Sequence, residues 1–175
     1  MKVFVIADTH FDHENIIEYC DRPFDNVEEM NETMIKNWNE VVEDGDMVLH
    51  VGDFMLTYTE RQKEIMCKLK GDIYLIRGNH DRQSKTKLVE RLGFKDVFDE
   101  VIIQGKVGQE VKEAVLTHRP LSEEEIEERG FDYNIHGHKH NLPKISDKHK
   151  CVSVEKIDYK PLELELETPY RMGGK

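Results

Sequence analysis

The sequence has little cysteine, and its cysteines are too scattered to suggest disulfides or a cysteine-based metal site. The three residues, Cys20, Cys67 and Cys151, are odd in number and form no CxxC spacing. Such cysteines are typical of ordinary thiols in a reducing compartment. With 175 residues, the chain is long enough to bury a hydrophobic core without disulfides or a structural metal. Its length predicts one domain.

Long apolar runs are also missing. No stretch approaches the roughly 20 apolar residues that a membrane-spanning helix needs. The N-terminal segment "MKVFVIADTH" has too short an apolar run for a signal peptide, because Asp8 follows at once. We therefore expect a cytoplasmic protein that does not associate with membranes.

Positive charge is in short supply. The 36 acidic residues outnumber the 25 basic ones, which leaves a formal net charge of −11. This balance disfavours broad, sequence-independent binding to nucleic acid, because such binding relies on a positive surface. A small anionic substrate is compatible with it, provided that local cations offset the negative field. An acidic protein that handles phosphate would need metal ions to do so.

Apolar periodicity and capping residues predict several helices. The clearest covers residues 27–42, where apolar side chains recur at steps of three and four and Asn26 is a suitable N-cap. Shorter helices are predicted at 60–69, at 85–92 with Gly93 as its end, and at 122–128, where Ser122 and Glu125 form a capping box.

The remaining apolar segments predict strands. The candidates are "KVFVIA", "DMVLHV", "DIYLIR", "DVFDEVIIQ", "EAVLT", "DYNIH", "CVSVEKI" and "LELELE". Several are continuous apolar runs, as expected for strands covered on both faces. The alternation of Leu and Glu over 162–167 instead predicts a strand with one wet face. Early β-α-β alternation followed by β-rich sequence indicates an α/β fold. We expect one domain over 1–169 and a frayed tail at 170–175.

Five of these strands end in polar residues of types that bind metals. They supply, in chain order, Asp8 and His10; Asp53; Asn79, His80 and Asp81; His118; and His136, His138 and His140. Taken singly, each is an ordinary turn, cap or half-buried residue. Because ligands bind at the carboxyl ends of strands in open α/β sheets, the joint pattern predicts one site at a sheet edge.

The same residues, in this order, resemble the calcineurin-like metallophosphoesterase superfamily. Its pattern DxH…GD…GNH[DE]…H…GHxH is filled at every position by "DTH" at 8–10, "GD" at 52–53, "GNHD" at 78–81, His118 and "GHKH" at 137–140. The opening "DTHFDHENIIEYCDRPF" is also similar to a subgroup of small microbial and phage phosphoesterases whose substrates are mostly undefined. The resemblance covers residues 1 to about 156. It implies two mixed β-sheets packed as a sandwich flanked by helices, a four-layer αββα fold.

The resemblance further implies a centre with two divalent metal ions. One ion would be held by Asp8, His10 and His140, the other by Asn79, His118 and His138, and Asp53 would bridge both. Imidazole, carboxylate and amide ligands without a thiolate suit Mn, Fe, Ni or Zn, and among these we favour Mn. Gly52, Gly78 and Gly137 are expected to allow tight turns that bring the ligands inward.

The implied reaction is hydrolysis of a phosphomonoester or phosphodiester by direct attack of a metal-activated hydroxide, without a phosphoenzyme. His80 would stabilise charge on the reacting phosphate or protonate the leaving oxygen. In the phosphoprotein phosphatase branch, an aspartate three residues after the bridging one orients this histidine, but Leu56 stands there in this chain. Either Asp81 or a distant carboxylate replaces it, or His80 acts mainly as a hydrogen-bond donor. A protein Ser/Thr phosphatase is therefore not expected.

Substrate contacts are predicted at three further residues. Arg22 and Arg119 are candidates for binding phosphate oxygens in bidentate fashion, with a surface ion pair as the alternative for each. His13 is expected either to contact substrate or to serve as a loop or cap residue. Of the other histidines, His50 and His136 are expected to be structural, and His149 is expected to be exposed.

Two alternatives to a phosphoesterase for small phosphate esters or nucleotides stay open. A nuclease acting on nucleic-acid ends would usually carry accessory domains or a basic surface, and the charge of −11 argues against it. A non-catalytic metal-binding interaction module of the same fold would be expected to lack ligands or His80, and none is missing. The chain is too short for a capping domain, so we expect an open cleft. Oligomeric state is left open.

Overall fold

The computed structural model of the protein consists of two five-stranded sheets with helices on their outer faces. It describes residues 1–56, 60–107, 110–164 and 167–174. The strands are β1 Val3–Ile6, β2 Met47–His50, β3 Asp72–Ile76, β4 Val97–Phe98, β5 Val101–Val107, β6 Glu110–Thr117, β7 Tyr133–His136, β8 His149–Cys151, β9 Leu162–Glu163 and β10 Glu167–Gly174. The helices are α1 Asn15–Tyr19, α2 Val27–Val41, α3 Glu60–Lys68 and α4 Glu123–Glu128, with a π-helical segment Lys87–Leu92 and a 3₁₀ turn Val154–Lys156.

Both sheets are mixed. The first has the order β4-β3-β2-β1-β9, in which β1 to β4 run parallel and β9 pairs antiparallel with β1. The second has the order β10-β5-β6-β7-β8. In it, β10, β5 and β6 pair antiparallel, whereas β6, β7 and β8 run parallel. The parallel strands of each sheet end at the side where the polar motifs follow.

Alternation along β1 shows how the layers pack. Val3 and Val5 belong to the apolar cluster between the sheets, which also contains Ile103 of the second sheet. Phe4 instead packs in the cluster with Trp38 of α2. On the far side, α4 covers the second sheet through a small cluster of Val115, Ile126 and Phe131. The predicted four-layer sandwich is therefore confirmed.

The predicted helices form, with small differences at their ends. Asn26 caps α2, its side chain accepting a hydrogen bond from the Glu29 N–H at 2.9 Å. The capping box of Ser122 and Glu125 is present in α4. The segment predicted at 85–92 is π-helical rather than α-helical, and it ends at Gly93 in the left-handed region with φ of 100°. Within the described residues, no helix has the length and apolar character needed to cross a membrane.

Two strand predictions need correction. The segment "DVFDEVIIQ" is split between β4 and β5, which lie in different sheets, so the chain crosses between layers there. The segment "CVSVEKI" leaves the sheet after Cys151 because its backbone turns to meet the end of β1. The Ala7 N–H donates to Val152 O at 2.8 Å, and the Val154 N–H donates to Ala7 O at 3.1 Å. The following 3₁₀ turn places Glu155 beneath the predicted site.

The C-terminal segment also differs from prediction. Of the alternating stretch, Leu162–Glu163 pairs with β1 as β9, and the Leu164 N–H donates to Val3 O at 2.8 Å. Residues 165 and 166 lie outside the described residues. Residues 170–174, predicted as a frayed tail, belong to β10, which forms the edge of the second sheet, and the backbone of 171–174 pairs with β5. Lys175 lies outside the described residues.

The N-cap of α2 gives a stability prediction. Substitution Asn26→Ala removes the acceptor of the Glu29 N–H, so we expect the free energy of unfolding to fall by about 1 kcal/mol in urea titrations. Glu32→Ala, on the exposed face of the same helix, should change it by less than about 0.5 kcal/mol. Equal losses in the two variants would show that the cap does not stabilise the helix.

Candidate metal centre

The predicted ligands converge at the carboxyl ends of strands from both sheets. Two groups of side chains place their ligand atoms within 4.8 Å of one another. The first group is Asp8, His10 and His140, and the second is Asp53, His118 and His138. Asn79 extends the second group, because its Oδ1 lies 3.1 Å from His118 Nε2. All seven predicted ligands are thus brought together.

Asp53 lies between the two groups. Its Oδ2 is 3.7 Å from Nε2 of His10 and 3.2 Å from Nε2 of His118. Its Oδ1 accepts a hydrogen bond from the backbone N–H of His80 at 2.8 Å. One oxygen therefore holds the loop in place while the other faces both groups.

Several polar atoms at the centre are buried without a partner, which fits a bound cation. Asp8 Oδ1 and both ring nitrogens of His10 make no hydrogen bond with the described residues. Buried polar groups in folded proteins almost always have a partner. Burial keeps the pKa of His10 well below its usual range, so the ring is neutral and has a lone pair to offer. The donor set matches the preference of first-row divalent metals.

Several of the predicted ligands also have a strained backbone conformation. Nine non-glycine residues of the described chain have positive φ, and five of these are predicted ligands: Asp8 (57°), His10 (46°), Asp53 (57°), His138 (65°) and His140 (46°). Aspartate and histidine are among the side chains that tolerate this region best. Each such residue costs of order 1–3 kcal/mol, and strain of this kind is typical of functional sites.

The three motif glycines are required mainly because there is no room for a Cβ at their positions, and less because of their backbone conformation. Only Gly52 has positive φ, at 86°. A Cβ on Gly52 would overlap the His118 ring, lying 2.7 Å from its Cγ, and one on Gly78 would overlap the carboxylate of Asp53. A Cβ on Gly137 would lie 2.6 Å from Asp8 Oδ2. The prediction of a tight turn is correct for Gly52. Gly78 and Gly137 are needed instead because their loops pass so close to Asp53 and Asp8 that a side chain would not fit.

Hydrogen bonds on the far side of two histidines orient their rings. Nδ1 of His118 donates to Val51 O at 2.9 Å, and Nδ1 of His140 donates to Glu155 Oε1 at 3.0 Å. In both rings Nε2 then faces the centre. Burial alone would lower the pKa of His140, but hydrogen bonding with Cys20 and Glu155 and the charge of Asp8 raise it to about 10. Positive charge is therefore stabilised at this position.

Glu155 is a site residue that the sequence does not reveal. Its side chain is only 4% exposed, and its Oε1 accepts from both His140 and Arg22. Histidines that ligate metals commonly donate their second nitrogen to a carboxylate in this way. Ser153, also unpredicted, donates to Asp8 Oδ2 at 2.6 Å. Glu155 and Ser153 both lie in a segment whose local pattern predicts a strand, so no sequence signal marks either of them as a site residue.

Arg22 does not contact substrate, which corrects the prediction. Its side chain is fully buried, and its guanidinium donates to Thr9 O at 3.0 Å and Asp8 O at 2.7 Å and pairs with Glu155 at 2.8 Å. A guanidinium whose donors are all taken up inside the protein cannot bind phosphate. Arg22 instead holds the loop after β1 and the carboxylate that orients His140.

His80 lies at the open side of the centre. Its side chain is 34% exposed, and its Nε2 is 3.9 Å from Asp53 Oδ2. Asp81 does not orient it, because both carboxylate oxygens are occupied by the backbone N–H groups of Asp53, Phe54 and Gly78 at 2.7, 3.1 and 2.8 Å. Leu56 is 39% exposed and contributes no polar group.

The other two predicted substrate contacts lie beside the ligands. Arg119 is exposed, and its guanidinium makes no hydrogen bond within the described part of the chain. Burial, the charge of His118 and that of Arg119 together lower the pKa of His138 to about 4. The ring of His13 lies 5.8 Å from that of His10, and its buried Nδ1 has no partner among the described residues.

The remaining histidines are structural. His50 is fully buried with its Nε2 3.1 Å from the Thr9 hydroxyl, and His136 donates from Nδ1 to Gly137 O at 2.8 Å. His149, predicted to be exposed, is 4% exposed. Its two nitrogens are hydrogen-bonded to the Ser146 hydroxyl and Leu121 O, and β8, which contains it, pairs with β7.

Comparison with known proteins identifies the protein family to which this site belongs. The chain belongs to the calcineurin-like phosphoesterase superfamily, whose domain model matches residues 1–156. Members of this superfamily generally bind divalent metals. The match ends at residue 156, so one domain extending to residue 169 stays a prediction.

Individual relatives cover nearly the whole chain. An uncharacterized protein of Methanocaldococcus jannaschii, MJ1445, is 43% identical over 176 residues, which cover 94% of this chain and 88% of that protein. The crystal structure of AQ665, a protein of unknown function from Aquifex aeolicus, is similar with a TM-score of 0.72 and 27% identity, covering 93% of this chain and 95% of that one.

The contact of Glu155 with His140 gives a binding prediction. Substitution Glu155→Gln keeps the shape but removes the charge that makes the imidazole a better ligand, so we expect Mn²⁺ affinity to fall about tenfold or more in calorimetric titrations. Glu163→Gln, which alters an exposed ion pair with Lys2, is the matched control and should bind Mn²⁺ unchanged. Unchanged affinity in folded Glu155→Gln protein would contradict the assigned role.

Proposed function

We propose that the protein is a metal-dependent phosphoesterase that hydrolyses a phosphomonoester or phosphodiester at a dinuclear centre. The observation that supports this best is the position of Asp53 Oδ2, 3.7 Å from His10 in one ligand group and 3.2 Å from His118 in the other. Membership of a phosphoesterase superfamily supplies the reaction class.

Two sets of residues would hold the ions. Asp8, His10 and His140 would bind one, Asn79, His118 and His138 the other, and Asp53 would contact both. When bound, such ions acidify a water molecule and neutralise charge on the phosphate oxygens. The ligand types favour Mn, Fe, Ni or Zn, and we propose Mn²⁺. The orienting contacts of Val51 and Glu155 keep the imidazole lone pairs directed at the centre.

His80 is the proposed catalytic residue that is not a ligand. Its backbone N–H is anchored on Asp53 Oδ1, and its ring lies 5.4 Å from the ring of His10. The partly exposed imidazole can reach a substrate at the centre and either protonate the leaving oxygen or donate a hydrogen bond to the phosphate.

The proposed substrate is a small phosphate ester or nucleotide. Arg119, exposed and directly after His118, would bind phosphate oxygens, and His13 would contact the substrate on the side of His10. The net charge of −11 disfavours a nucleic-acid polymer, and a full set of ligands with His80 disfavours a non-catalytic module. We propose that the protein acts in the cytoplasm.

Hydrolysis of model esters tests the proposed function. Protein reconstituted with Mn²⁺, Ni²⁺, Co²⁺ or Fe²⁺ should hydrolyse p-nitrophenyl phosphate, bis-p-nitrophenyl phosphate or a member of a nucleotide panel. Asp53→Asn removes the charge that faces both ligand groups, so it should lower activity by more than about 100-fold and weaken metal binding. Asp99→Asn, 84% exposed, is the control and should be fully active. The absence of turnover with every metal and ester would overturn the proposal.

Substitution of His80 separates catalysis from metal binding. His80→Ala should lower turnover by about 10²- to 10⁴-fold for phenyl phosphate, whose leaving group needs a proton, and less for p-nitrophenyl phosphate. Metal content measured by elemental analysis should not change. An equal loss on both esters would indicate that His80 stabilises charge instead of donating a proton, and loss of metal would show that it is a ligand.

A further inference from the structure

A cavity lies beside the metal centre and shares one loop with it. Its volume is about 390 Å³, within the range of small-molecule sites. Lys139 lines the cavity, whereas its neighbours His138 and His140 belong to the two ligand groups. None of the seven proposed metal ligands lines the cavity. It is therefore a separate feature of the molecule.

The rim of the cavity is strongly basic in an otherwise acidic protein. Four lysines line it, Lys139, Lys144, Lys150 and Lys156, against one acidic residue, Asp147. Asp147 is paired with Lys144 at 2.6 Å. The ammonium groups of Lys139 and Lys150 have no ion-pair partner within the described residues. With a chain charge of −11, this concentration of free positive charge favours an anionic ligand.

One wall of the cavity is apolar and open to solvent. Tyr133, Leu142 and Ile145 line it and are 42%, 53% and 46% exposed. They are three of the seven large exposed apolar side chains in the described residues. Exposed apolar side chains gathered at one place indicate a binding surface. A flat ring could pack against this wall.

Two buried histidines line the cavity as well. Both nitrogens of His149 are occupied by Ser146 and Leu121. His136 donates from Nδ1 to Gly137 O at 2.8 Å. Hydrogen bonds thus fix both rings in the lining of the cavity.

We propose that this cavity binds a nucleoside diphosphate. Lys139, Lys150 and Lys156 would contact the phosphates, and the wall of Tyr133, Leu142 and Ile145 would pack against the base. A simple phosphate would leave the apolar wall uncovered, and an uncharged ring compound would leave the lysines unpaired. A nucleoside diphosphate satisfies both. Because the cavity contains no proposed metal ligand, this inference does not depend on the proposed catalytic activity.

Calorimetry on the intact protein in EDTA, with ADP as the probe, tests the site. ADP should bind more tightly than pyrophosphate and adenosine, each of which offers only part of the ligand. Lys150→Glu should weaken ADP binding about tenfold or more. Lys148→Glu changes the chain charge equally two residues away but alters a lysine that pairs with Glu127 and does not line the cavity, so it should have less than a twofold effect.

The outcomes that would overturn the site are distinct from those that test catalysis. Absence of ADP binding, equal weakening by Lys148→Glu, or pyrophosphate binding as tightly as ADP would each refute a nucleoside diphosphate site. Asp53→Asn should bind ADP normally in EDTA, because Asp53 does not line the cavity. Loss of binding in that variant would place the ligand in the metal centre instead. An inactive enzyme that still binds ADP would refute only the proposed function.

Discussion

The structure depends on the close contact of the two sheets at Asp8. Its Oδ2 accepts hydrogen bonds from the His138 N–H at 2.8 Å and the Ser153 hydroxyl at 2.6 Å, which both belong to the second half of the chain. Gly137 permits this approach, since any side chain there would overlap the carboxylate. One aspartate therefore fixes the loop after β1 against the loop after β7, and the two ligand groups owe their proximity to that contact.

Burial of so many ionisable groups is unfavourable unless opposite charges compensate them. Burial raises the pKa of Asp8 to about 6. Burial would also raise the pKa of Asp53, but hydrogen bonding with His118 and the charge of that ring outweigh it and hold the pKa well below its usual range. Arg22, Glu155 and His140 form a buried chain of alternating charge behind the first group. The protein thus stabilises a centre in which Asp8 Oδ1 and the His10 ring have no hydrogen-bond partner among the described residues, and a bound cation would supply one.

Sequence patterns predicted the helices and most of the strands because these depend on local periodicity, whereas the four-layer arrangement was expected from the family resemblance. The apolar stripe of α2 and its Asn26 cap follow from residue spacing, and both match the structure. The prediction failed where distant pairing overrode local pattern. The segment after Cys151 turns away from the sheet to bond Ala7, and residues 171–174 pair with β5 although their composition indicates a frayed tail.

At the site, the order of the strand-end motifs was enough to predict the candidate ligands, and the structure brings these side chains together. The side chains that support those ligands were not identifiable in this way. From the sequence, Arg22 is a candidate phosphate contact or a surface ion pair, and Glu155 is part of a predicted strand. In the structure the two side chains, 133 positions apart in the chain, pair in the interior. The candidate ligands can be recognised from short motifs, because each strand end supplies its own polar residue. Their support comes from contacts between segments far apart in the chain, and such contacts exist only once the two sheets have packed together.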